Sequence, residues 1–292
     1  MTDSAEFTLA DGGIETALVE RLGQHLPEFA AFVLLASEEG REALRAYYRP
    51  FVDIAREQGR SLVLDTPTWR ANADWGARLG YDADALAAAN REAVELVREL
   101  VEREVDDFPV AVNGCVGPRF DEEARMSPEE SEAYHRPQIA ALAAAGADRV
   151  TAVTATGADE AIGIVRAAGG EGIPVAVSFG LGPNGALLDG RSLAEGIATV
   201  DAATSGAAEM FMVNCAHPIE VGAGMADEAE LARIVGLRLN AARHGDDGQG
   251  DAPETFAAAV WALCERLPAV RILGGCCGTD APHIEAIARL VR

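Results

Sequence analysis

The chain contains no lysine: every one of its 24 basic residues is arginine. No side chain can therefore form a Schiff base through an ε-amino group, which excludes class I aldolase and pyridoxal phosphate chemistry. Positive charge is scarce altogether. Against 47 acidic residues it leaves a formal net charge of −23, a field that repels polyanions, so neither nucleic acid nor an anionic membrane surface is an expected partner. No apolar run approaches the length of a membrane span, and Met1-Thr2-Asp3-Ser4-Ala5-Glu6 has neither the basic region nor the apolar stretch of a secretory signal. The five cysteines, an odd number without framework spacing, argue against a disulfide scaffold and for a reducing cytoplasm. The five histidines form no H-x-H or H-E-x-x-H pair, which excludes zinc-hydroxide sites built on those patterns. Aromatics are few at 5%, and much of the 49% hydrophobic content is alanine, which suits small-residue helices packed closely on a sheet.

What is present is a regular alternation. Short apolar runs that read as strands stand at Phe7–Leu9, Ser61–Leu64, Val110–Val112, Arg149–Val153, Pro174–Phe179, Met210–Val213, Ile234–Leu239 and Val270–Leu273. Between and after them lie helical segments at Glu42–Gln58, Asp84–Glu104, Pro128–Ala145, Ala158–Ala168, Ser192–Ser205, Glu228–Arg233, Thr255–Leu267 and Pro282–Val291. Asp84, Ser127 with Pro128, and Ser192 supply helix-start signals. Eight strand–helix units predict an α/β fold, a (β/α)8 TIM barrel occupying residues 1–292 as a single domain. The polar loop elements all follow proposed strands, so Asp11, Thr66, Trp69, Asn113 and Asn214 are expected to ring one mouth, the C-terminal face where such barrels keep their chemistry. The tract His244–Asp251 reads as a surface loop or a lid.

The most telling stretch is Gly274-Gly275-Cys276-Cys277-Gly278, directly behind an apolar run. Successive side chains of an extended segment leave on opposite sides, so two adjacent sulfurs converge only if the chain turns, and the flanking glycines permit that turn. A third thiol, Cys215, follows another strand in Asn214-Cys215-Ala216-His217-Pro218. Three thiolates from two strand ends make an open zinc site with a fourth position for a substrate. A strained vicinal disulfide, or small buried hydrophobes, are the alternatives. A closed structural site would show C-x-x-C knuckles, and none exists. Cys264 reads as helix core, and Cys115 as a neighbour of the site rather than a ligand. A free thiol with pKa near 8.5 is only about 3% ionised at pH 7. Zn2+ removes that limit, and a thiolate-rich zinc suits sulfur alkylation better than hydrolysis.

Asp11-Gly12-Gly13, Gly117-Pro118, Leu188 to Glu195, Asn214-Cys215 and Gly274 to Gly278, in this order across nearly the whole chain, resemble the homocysteine S-methyltransferase family. The resemblance implies a (β/α)8 barrel in which Cys215, Cys276 and Cys277 bind zinc. The metal activates a small thiol acceptor, homocysteine, and a methyl donor such as betaine, a sulfonium compound or a folate supplies the methyl group. It also implies that Asp11 helps hold the acceptor's ammonium. Two stretches depart from the family's pattern. Val153 stands where a glutamate commonly contacts that ammonium, and Asp65-Thr66-Pro67-Thr68-Trp69 replaces a Thr-Thr-Asn-Thr-Tyr element. Glu15 is placed to supply the missing charge, a solvated surface glutamate being the other reading. Trp69 offers a ring face to an apolar or cationic ligand, with packing at the rim as the alternative. Two further functional readings fit the same residues: alkyl transfer to a thiol without the amino group, and a non-catalytic zinc- or thiol-binding barrel. Association into a homo-oligomer is compatible with all three.

Overall fold

The computed structural model describes residues 7–121, 126–225, 229–246 and 250–291. Eight parallel strands close on themselves in sequence order: β1 (Thr8–Ala10), β2 (Leu62–Asp65), β3 (Val110–Val116), β4 (Arg149–Ala155), β5 (Val175–Gly180), β6 (Met210–Asn214), β7 (Ile234–Leu239) and β8 (Ile272–Gly275). Around them run α1 (Ile14–Glu20), α2 (Glu38–Gln58), α3 (Ala73–Arg78), α4 (Ala83–Glu104), α5 (Pro128–Ala144), α6 (Ala158–Glu171), α7 (Leu193–Thr204), α8 (Pro218–Gly224), α9 (Pro253–Arg266) and α10 (Ala281–Leu290). This is the (β/α)8 barrel that the strand–helix alternation predicts.

The helices start where side chains satisfy their free N–H groups. Ser127 and Ser192 each close a capping box, with Glu130 and Glu195 respectively. The cap of α4 is Asp82 rather than the expected Asp84, because the Asp82 carboxylate accepts from Ala85 N and leaves Asp84 in the first turn. Likewise α2 begins at Glu38, four residues before the expected start, because Ser37 accepts from Gly40 N. The segment expected as a helix at Glu228–Arg233 is a single 3-10 turn, Ala229–Arg233, and Glu228 lies outside the described residues. Three helices of six or seven residues (α1, α3, α8) escape sequence reading because an apolar period of 3.6 hardly repeats over so short a length. Of the His244–Asp251 tract, residues 247–249 lie outside the described set.

Two layers of core result. The larger, apolar one fills the space between strands and helices, with Tyr47, Tyr48, Phe51, Phe179 and Phe211 fully buried. The lumen is lined differently. A small cluster of Ala10, Val63, Met212 and Ile272 fills its lower part. Towards the C-terminal ends of the strands the inward positions turn polar: Asp65, Asn113, Thr151, Ser178, Asn214 and Arg238. These residues share the inward parity of their strands, and they form the floor of the cavity described next.

Candidate active site

One cavity opens at the C-terminal mouth of the barrel and encloses about 860 Å³ of free space, its mouth included. Asp11, Glu15, Thr66, Trp69, Asn113, Asn214, Cys215, Cys276 and Cys277 all line it, so every candidate residue from the sequence reaches the same opening. So do Val153 and Cys115, the latter inside β3 and buried.

The thiols meet as the motif spacing requires. The sulfurs of Cys215, Cys276 and Cys277 lie within 4.8 Å of one another, and Cys276 Sγ and Cys277 Sγ are 4.0 Å apart. A tetrahedral zinc with Zn–S bonds of about 2.3 Å sets its sulfurs about 3.8 Å apart, so the donor set fits that ion. Hydrogen bonds from Cys215 and Cys277 hold the Cys276 thiol well below its ordinary pKa, while the same sharing drives the Cys215 and Cys277 thiols up. Side-chain amides face two of the sulfurs, Asn214 Nδ2 at 3.9 Å from Cys276 Sγ and Asn240 Nδ2 at 4.0 Å from Cys215 Sγ.

The backbone that delivers these sulfurs is not shaped as the glycine content suggests. Gly274 and Gly275 belong to β8, and in the Gly-Gly-Cys-Cys-Gly stretch it is Gly278 that takes a positive φ, of 73°. Gly274 and Gly275 are required for space: a Cβ on Gly274 would stand 2.7 Å from Ala10 Cβ, and one on Gly275 would collide with Thr279. Cys215 itself adopts a φ of 53°, and Thr154, on the bulged strand β4 two places round the barrel from β6, a φ of 60°. Asn214 ties these two places together. It accepts from Thr154 N (3.0 Å) and Ser178 Oγ (2.7 Å) and donates to Thr154 Oγ1 (2.8 Å). Two non-glycine residues in this sparsely populated region are thus held by a bonded frame at the mouth.

Gly13 has an ordinary φ of −80°, so its own conformation admits alanine. Its surroundings do not, since a Cβ there would overlap the carbonyl of Cys276 and stand 3.2 Å from Cys277 Cα. Gly13→Ala is expected to leave the far-UV circular dichroism unchanged while displacing the Cys276–Cys277 turn. Zinc affinity should then fall about tenfold or more, as read by competition with a chromophoric chelator.

Charge in the cavity is dominated by a group the sequence reading did not single out. Arg238, on β7, donates through Nη1 to Asp65 and through Nη2 to Asp11. Arg238 stands in register with Gly274 of β8, the strand between β7 and β1. The carboxylates are themselves engaged further. Asn113 Nδ2 donates to Asp65 Oδ1 (2.6 Å), Thr151 Oγ1 donates to Asn113 Oδ1 (2.8 Å), and Tyr47 OH lies 3.3 Å from Asp11 Oδ2. Burial pushes Asp11 above the usual carboxylate range, with Arg238 pulling against it. Burial opposes the charge of Arg238 too, but Asp65 and Asp11 outweigh it and hold the group ionised. A readable signal existed for Arg238: an arginine inside the apolar run Ile234–Leu239 faces the lumen or breaks the strand.

Glu15 differs from these acids. It lies on the first turn of α1, half-buried at the mouth, and its carboxylate accepts no bond from another side chain among the described residues. Burial pushes its pKa up to about 8, the charge of Cys276 adding to the effect and that of Arg70 opposing it. Thr66 faces its own loop instead, sharing a 2.7 Å bond with Thr68 and accepting from Cys115 N. Trp69, Phe29 and Ile14 supply the apolar lip. Arg70 staples that lip by stacking over Trp75 (3.8 Å) and Trp69 (4.8 Å) while donating to Glu28 O and to Asp121. His217 is no ligand here. It caps α8, its Nδ1 accepting from Ile219 N, and its Nε2 meets Asp251 at 3.0 Å.

A (β/α)8 barrel with three convergent cysteine thiols at its catalytic face defines a class of thiol-handling, metal-competent enzymes. The chain belongs to the homocysteine S-methyltransferase family, whose model matches residues 8–291, and it is an S-methyltransferase. It is 27% identical over 314 residues to betaine–homocysteine S-methyltransferase 1 of Mus musculus, an alignment covering 98% of this chain and 72% of that protein. Among solved structures it resembles the homocysteine methyltransferase MmuM of Escherichia coli. The metallated form gives a TM-score of 0.75 at 23% identity, covering 98% of this chain and 96% of that one. The oxidised form gives 0.78 at 22% identity, covering 99% and 97%. At these identities the structural likeness speaks to the fold alone.

Proposed function

We propose that this protein is a zinc-dependent methyltransferase that moves a methyl group onto a small thiol, homocysteine before others. The observation that carries the reading is the cluster of Cys215, Cys276 and Cys277 within the cavity of a chain of this family. Those three residues would hold the metal, which when bound supplies an ionised, nucleophilic acceptor sulfur at neutral pH. In the reaction the acceptor's S–CH3 bond forms as the donor's bond to that methyl breaks, and the thiol proton is released. The chain's own residues do the remainder. Asn214 and Asn240 donate to the ligand sulfurs and fix their orientation. Ile14, Phe29 and Trp69 present an apolar lip that excludes water from the transferring methyl. Glu15 is the carboxylate free to meet the acceptor's ammonium.

Glu15→Gln tests that last role. Homocysteine binding should weaken by about 1.5–3 kcal/mol, the loss of a hydrogen bond between charged groups, and a thiol without an amino group should scarcely change. The titration adds a second readout. With its pKa at about 8, Glu15 is mostly protonated at pH 7 in the free protein. An ammonium bound beside it favours the ionised form. Homocysteine should thus release more protons on binding at pH 7 than an amine-free thiol does, and the excess should vanish both above pH 9 and in the glutamine variant. Calorimetry in buffers of different ionisation enthalpy measures this, and identical proton release by the two thiols would reject the role.

The rival reading, a barrel that binds zinc or thiol without turnover, is separated by product analysis. Methylated thiol formed from homocysteine and an onium donor, and abolished by Cys276→Ala, supports methyl transfer.

A further inference from the structure

We infer that Arg238 is a specificity-determining positioning residue: by engaging Asp11 and Asp65 together, it withdraws both carboxylates from the cavity and leaves recognition of a substrate ammonium, among the described acids that line it, to Glu15. The inference rests on the thiol-methylation reading above and concerns what the pocket accepts, not whether it reacts.

The argument is an account of oxygen atoms. Asp11 has one carboxylate oxygen on Arg238 and the other 3.3 Å from Tyr47 OH, whose proton is shared with the closer Gly12 O at 2.9 Å. Asp65 has one on Arg238 and the other on Asn113. Both aspartates are buried, at 0% and 6% exposure, so water adds little to either. A ligand ammonium competing for the Asp11 oxygen that Arg238 holds would have to displace one prong of a buried guanidinium and leave it with Asp65 alone, an undercompensated charge in a buried site. Arg238 makes no hydrogen bond to the sulfurs or the lip among the described residues, although its charge helps to lower the pKa of the Cys276 thiol. It acts through the two acids it occupies, and Asn113 and Thr151 brace the arrangement from β3 and β4.

The consequence is that amine recognition in this protein is lighter than the number of acids in its pocket suggests. Without Arg238, two carboxylates that had shared one guanidinium would lie close enough to share a proton, leaving one negative charge open to the cavity.

The test compares dissociation constants of the zinc-loaded protein, by calorimetry, for homocysteine and for 4-mercaptobutyrate, which is the same skeleton without the amino group. Wild type should favour homocysteine by roughly tenfold, the size of one charge-assisted bond. Asp11→Asn should keep that ratio within about threefold of wild type, since Asp11 does not hold the amine. Arg238→Met should raise the preference for homocysteine by about tenfold or more, and Arg238→Lys, which keeps the charge but not the two-pronged fork, should give a ratio between those of Arg238→Met and wild type, a pattern that a purely structural role would not produce. If Arg238→Met does not fold, Asp11→Asn decides alone. A collapse of the ratio in Asp11→Asn, or an unchanged ratio in Arg238→Met, would overturn the inference. Failure of wild type to bind either thiol would instead overturn the methylation reading on which it rests.

Discussion

Cys215→Ala is expected to abolish stoichiometric zinc binding while the barrel stays folded. The three thiols lie within 4.8 Å of one another at the ends of β6 and β8, and Cys215 is the thiol that brings the second strand into the proposed site. Cys276 and Cys277 are adjacent in sequence and cannot enclose a metal by themselves; two thiolates and water bind zinc far more weakly than three thiolates. Without metal, the acceptor falls back on its free-thiol ionisation of about 3% at pH 7, so methyl transfer should drop by about thirtyfold or more. Metal analysis on purified protein checks the first effect, and product formation the second. Full zinc stoichiometry in Cys215→Ala would falsify the ligand assignment. The barrel should survive because Cys215 sits on the loop that leaves β6, outside the apolar layer between strands and helices.

The second large effect concerns stability. Asp65→Ala removes one of two partners from the buried guanidinium of Arg238 and orphans the Asn113 amide, whose Nδ2 donates to Asp65 Oδ1 at 2.6 Å. Breaking a buried pair from one side leaves an undercompensated charge, a loss of about 3–5 kcal/mol. The surface pair between Arg56 and Asp53 has a close 2.6 Å contact, but its side chains are 48% and 61% exposed. Asp53→Ala should cost less than about 1 kcal/mol, because water and salt already screen that interaction. Urea unfolding of the two variants beside wild type measures both. Equal losses would mean that the lumen is wetter than its burial indicates.

The two variants mark where sequence reading stops. The helix starts at Ser127 and Ser192 were legible because a cap and its N3 partner are only three residues apart. Strand–helix alternation was legible because it repeats eight times. The cysteine cluster was legible because adjacent thiols after a strand have few uses, and Cys215 stands at the end of another strand. Arg238 was not. Its partners Asp65 and Asp11 lie 173 and 227 residues away, and no local pattern pairs residues across such a separation. The role of Gly13 was hidden for the same reason: its φ is ordinary, and what forbids a side chain there is the Cys276 carbonyl brought in by the turn after β8.

From the sequence alone came the barrel, the side of it that carries chemistry, the three thiols and the exclusion of lysine chemistry. Each depends on periodicity, turn residues or composition, which are properties of neighbouring residues. Tertiary structure decided which of the acids at the mouth are free. Closing the sheet brings β7 within reach of β1 and β2, so one arginine occupies two aspartates, while Glu15 accepts no side-chain hydrogen bond among the described residues. A residue's type fixes the charge it can carry; only the packed barrel determines whether that charge is already spent on a neighbour.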